Sequence, residues 1–160
     1  MPPRRWGDLV ARANADARQP VLLIAAPETD PAAWGQWVET FEAAGYVVLT
    51  PDWRPGEHDH RSMDALAQAA ADVAEVARAL SSRPAIIGHG VGGLVARTLA
   101  ADGLSAATVA IASGPASPSD LLESEAPGDP RGLMLMTANG ASAFARETAE
   151  DALSFIQRFV

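Results

Sequence analysis

Apolar positions along this chain fall into two alternating patterns. Five short, nearly unbroken apolar runs occur at Pro20–Ala26, Tyr46–Thr50, Ala85–Gly88, Thr108–Ala112 and Leu133–Thr137. Runs of this kind, with no polar side, are the signature of strands buried on both faces of a parallel sheet. Between them, apolar residues recur with helical spacing. Trp6, Leu9, Val10 and Ala13 do so near the start, then Trp34, Trp37, Val38 and Phe41. Met63, Leu66, Ala70, Val73, Ala77 and Leu80 follow, then an Ala-rich stretch reaching about Ala101, and finally Ala152, Leu153, Ile156 and Phe159 within Thr148–Val160. Each set predicts an amphipathic helix. The punctuation agrees: Asp30 before Pro31 suits an N-cap and first helical position, Gly45 a helix end, and Ser62 a further N-cap. Pro51–Arg61 and Ser113–Arg131 are polar and broken by Pro and Gly, and read as loops. Strands alternating with helices predict an α/β fold in three layers, a mostly parallel sheet of about five strands with helices on both faces.

Length and charge narrow the picture. The 160 residues suffice for one domain spanning 1–160, with 1–19 as a helical or irregular extension and 113–131 as a surface excursion. The net charge of −8 argues against nucleic acid and anionic membranes as partners. All twelve basic residues are arginine, which points to a GC-rich genome rather than to a function. No cysteine is present, so disulfides and thiol chemistry are excluded. Met1–Gln19 lacks the continuous apolar core of a signal peptide, and no apolar run is long enough to span a bilayer. The expected location is the cytoplasm, and no cofactor or metal is expected.

The segment that carries candidate chemistry is Ala85-Ile86-Ile87-Gly88-His89-Gly90-Val91-Gly92-Gly93-Leu94. A buried strand stops at Gly88, four glycines fall within six residues, and a helix begins. Gly88-x-Gly90-x-x-Gly93 satisfies the dinucleotide-binding pattern, which also sits between a strand and a helix. That pattern needs a carboxylate at the end of the next strand to hold a ribose, and Ile111-Ala112-Ser113-Gly114 offers none. Gly88-His89-Gly90-Val91-Gly92 also resembles the nucleophile elbow of the α/β-hydrolase superfamily, Gly-x-Ser-x-Gly, with Gly90 at the serine position. His89 and Gly93 match the common form Gly-His-Ser-x-Gly-Gly of that superfamily.

The resemblance extends along the chain and implies a reduced α/β-hydrolase-like core with no full cap, the 113–131 excursion replacing the cap region. Trp34–Asp52 resembles the superfamily's first helix and the strand after it. The position of its His-Gly pair after the first buried strand holds Ala25 and Ala26, followed by Pro27, which has no N–H to offer an oxyanion. Gly140-Ala141-Ser142-Ala143-Phe144 resembles the segment before the closing helix and places Ala143 where the catalytic histidine belongs. The resemblance therefore implies a frame without its serine, histidine, acid or one of its two oxyanion donors, Val91 N–H being the survivor. An engineered serine-to-glycine exchange would account for Gly90 alone.

Other residue types capable of chemistry remain. His58 and His60, with Asp52, could form an acid–base pair or a metal site, or simply a solvated loop. His89 reads as a buried supporting histidine or as an acid–base group, and Glu28 as a surface carboxylate or a base in an apolar pocket. Trp53 is the aromatic best placed to line a pocket with Pro27, Glu28, His89, Gly90 and Val91. Three functions fit: a non-hydrolytic protein that binds a small apolar molecule or a protein partner, a non-hydrolytic enzyme such as an isomerase, cyclase or lyase, and an inert assembly domain. A shortened sheet with open edges predicts a homo-oligomer.

Overall fold

The apolar runs become five strands in a single sheet in which every neighbouring pair is parallel. The computed structural model describes residues 6–25, 34–51, 63–112, 133–137 and 146–160. In chain order the elements are α1 (Gly7–Ala15), β1 (Gln19–Ile24), α2 (Gly35–Ala43), β2 (Tyr46–Leu49), α3 (Met63–Ala79), β3 (Ala85–His89), α4 (Val91–Ala101), β4 (Ala107–Ala112), β5 (Leu133–Thr137) and α5 (Arg146–Ile156). The strand order is β2-β1-β3-β4-β5, with register pairs Val21↔Val48, Leu22↔Ile86, Ile87↔Val109 and Ala110↔Leu135. The five-stranded α/β sheet expected from the alternation of patterns is thus present.

Successive strand residues point to opposite faces, and that alternation sorts the core into two layers. Leu22, Ile24, Leu49 and Ile86 face α1, α3 and α4, where they meet Trp6, Val10, Val73, Val76, Val95 and Leu99. Val21, Leu23, Ile87, Val109 and Ile111 face α2 and α5, where they meet Trp34, Trp37, Phe41, Ala152 and Ile156. Apart from Trp6, one layer is aliphatic and rich in alanine. The other is aromatic: Trp37 stacks on Phe41 at 6.4 Å, and Phe41 meets Tyr46 edge-on at 5.7 Å.

Polar contacts tie the lower end of the sheet. Asn14 donates through Nδ2 to Ala79 O at 2.9 Å and accepts from Ser81 N–H at 2.8 Å, so α1 closes the carboxyl end of α3. Gln19 donates to Arg83 O at 2.6 Å. Asp16 accepts from the Arg18 backbone N–H at 2.9 Å and from its guanidinium at 2.7 Å, which holds the Asp16 carboxyl down at about 2. The Tyr46 hydroxyl donates to Val160 O at 2.7 Å, and burial pushes its pKa up.

Some boundaries differ from the sequence expectation. α5 ends at Ile156 and residues 157–159 form a turn, in which Phe159 N–H donates to Ile156 O at 2.9 Å. Phe159 consequently leaves the inner face expected of it. It is 38% exposed and packs against Phe155 instead, ring centres 5.2 Å apart. α2 opens at Gly35 with Trp34 at the N-cap, and no side chain caps it. Asp30, Pro31 and Ser62, expected as helix starts, lie outside the described residues, as do residues 1–5 and the excursion at 113–131. No described helix is long and apolar enough to cross a membrane.

Candidate functional site

The order of strands reverses between β1 and β3, and open α/β sheets bind ligands at such a switch point, beyond the carboxyl ends of the strands. Here those ends are Ile24 and His89. β3 finishes at His89 and α4 starts at Val91, so Gly90 alone makes the turn. Its φ of 60° and ψ of −126° lie where a residue with a Cβ goes only with strain. The turn is pinned twice: Gly90 N–H donates to Ile111 O of β4 at 2.8 Å, and Gly90 O accepts from Gly93 N–H at 2.9 Å.

Two flanking glycines are required for a different reason, close approach. A Cβ on Gly88 would run into the Gly92 carbonyl and lie 2.7 Å from Gly93 N. A Cβ on Gly92 would run into the carbonyl of Ile24 on β1 and lie 3.2 Å from Ile24 Cγ2. The helix therefore sits directly on the strands, and its first turn is drawn over the switch point. Gly93 is not of this kind. A Cβ there would meet Gly88 O at 3.4 Å and Ala110 Cβ at 3.6 Å, ordinary contact distances. The first N–H groups of a helix have no acceptor within it, so the Val91 and Gly92 amides open α4 as donors, with the positive end of the helix dipole behind them.

His89 shares its strand face with Ala85 and Ile87 and is only 7% exposed, whereas Gly90 and Val91 are half-buried. Its ring meets Trp34 edge-on, centres 6.4 Å apart at 81°. Trp34 in turn meets Trp37 edge-on at 5.4 Å and 77°. The aromatic layer under α2 thus reaches the turn through Trp34.

Of the residues singled out by sequence, the structure brings His89, Gly90 and Val91 together at this turn. Pro27, Glu28, Asp52, Trp53, His58, His60 and Ala143 lie outside the described residues. Among the described residues, no three His, Asp or Glu side chains gather as a metal site would require. Sequence reasoning treated Trp34 as helix core only. Its place at the start of the helix that follows β1 was the available signal, since such a helix begins at the carboxyl end of the sheet. The backbone anchors, Ile24 O and Ile111 O, carry no sequence signal at all.

No protein-family model matches the chain, and no curated protein does. Solved structures do. The chain is similar to a protein of Xanthomonas campestris pv. campestris assigned to the α/β hydrolase superfamily, at 15% identity and a TM-score of 0.65, over 89% of this chain and 97% of that one. It is similar to an α/β serine hydrolase without lid from Xanthomonas campestris at 16% identity and a TM-score of 0.61, over 91% and 84%. It also resembles epoxide hydrolase A of Mycobacterium thermoresistibile at 22% identity and a TM-score of 0.51, over 68% of this chain and 38% of that larger one. Parallel sheet, tight glycine turn and neighbours agree: the chain carries a small version of the α/β-hydrolase fold.

Proposed function

We propose that this chain is an α/β-hydrolase-like protein without Ser-His-acid machinery, and that it binds a small apolar molecule at the switch point without hydrolysing it. One observation carries the reading. Gly90 holds the strained turn that presents a nucleophile in this fold, yet contributes no side chain to present. Acyl transfer needs an activated nucleophile, a base beside it and paired oxyanion donors. The sequence offers Gly90, Ala143 and Pro27 at the positions the resemblance assigns to these roles. What stays at the turn is half-buried backbone beside Val91 and the Trp34–His89 pair, the makings of an apolar wall with a few polar atoms.

The experiment uses a fluorophosphonate label and neutral Nile red on the purified chain. The expected result is no covalent labelling, with saturable Nile red binding that raises the unfolding midpoint. Val91→Asp, whose charge the amino end of α4 tolerates, should weaken that binding at least tenfold. Labelling of the native chain would overturn the non-hydrolytic half of the proposal. Nile red binding that Val91→Asp leaves unchanged would overturn the location.

A second reading has its own observation, the buried imidazole of His89 next to Gly90. In this reading that imidazole would be the acid or base of an isomerase, cyclase or lyase. Turnover of a bound molecule that His89→Gln abolishes, while Nile red still binds, would favour it. The two edge strands β2 and β5, each paired on one side in the described sheet, support assembly as a homodimer or larger. Light scattering that gives 16.6 kDa at micromolar concentration would remove that part.

A further inference from the structure

We draw no further inference here: the strongest candidate, the amino end of α4 where the Val91 and Gly92 amides open toward the switch point, rests on a helix N-terminus that belongs to the site already described.

Discussion

Glycine does two different jobs in this molecule, and the elbow and the helix ends show them side by side. At the ends of α2 and α4, Gly45 (φ 95°) and Gly103 (φ 74°) turn the chain out of the helix, and a Cβ on either would meet nothing within 4 Å. After α4 the turn is a Schellman motif: Gly103 N–H donates to Ala100 O at 3.0 Å and Leu104 N–H to Leu99 O at 3.0 Å. These glycines are there for a dihedral angle. Gly88 and Gly92 have φ values that need no glycine, and are there because backbone from another element occupies the space of their side chains. Gly90, between them, is of the first kind. The elbow therefore combines both demands in five residues, a positive φ at Gly90 and close backbone approach at Gly88 and Gly92.

The largest expected effect of a methyl group is at Gly92. Gly92→Ala forces its methyl into the Ile24 carbonyl, and main chain cannot swing aside as a side-chain tip can. The expected loss in a urea titration is on the order of 3 kcal/mol or more. Gly88→Ala should follow closely, its obstacle being the Gly92 carbonyl. A loss below about 1 kcal/mol at Gly92 would show that β1 and α4 part easily, and would falsify the close-approach account.

At the helix ends the same substitution meets only the backbone angle. Gly45→Ala and Gly103→Ala should each cost about 1–2 kcal/mol, the usual penalty for placing a Cβ in the left-handed region. Equal losses at Gly103 and Gly92 would show that backbone angle and close approach are not separate demands. Gly93→Ala sharpens that separation from the other side. It adds a methyl to a helix position with room, and should be neutral or stabilising by up to about 1 kcal/mol. Thermal melts of the adjacent pair, Gly92→Ala against Gly93→Ala, read the contrast directly.

The smallest expected effect is on activity. Gly90→Ser returns a hydroxyl to the turn, yet p-nitrophenyl acetate turnover should stay at the level of the native chain. A hydroxyl without a base is a poor nucleophile near neutral pH, and removing even one oxyanion donor typically costs about 10²–10³ in rate. A burst of nitrophenol with an acyl-serine in the mass spectrum would reveal a working base, and with it an error in placing Ala143 at the histidine position.

Most of the sheet was legible in the sequence because parallel strands are buried on both faces. Leu22, Ile24, Ile86 and Ile87 all lack exposure, so the run shows no alternation to misread. Helix faces were legible from their spacing: Val73 and Ala77 of α3, and Leu80 just beyond its end, are buried as predicted. The end of α5 was not, because an apolar residue at the right spacing looks the same inside a helix as in the turn after it, and Phe159 falls in the turn. At the elbow, the glycine spacing announced a tight strand-to-helix turn, and Gly90 holds it. The spacing could not say which glycines are needed. Gly92 and Gly93 look alike in the sequence, and only the carbonyl of a strand far away in the chain separates them. Trp34 was hidden in the same manner, since its spacing assigns it to the helix core and only the folded chain brings His89 beside it.

The seat of Gly92 against Ile24 also has a kinetic consequence. β3, β4 and β5 pair in the order in which they occur, whereas β1 joins β3 only after α2, β2 and α3 have been spanned. Non-local pairings of that kind close slowly, because the intervening loop must lose its freedom before any contact compensates. The turn at Gly90 draws one anchor, Ile111, from neighbouring β4 and the other, the seat of Gly92, from distant β1. The elbow is therefore complete only when a contact between chain segments far apart in sequence has formed.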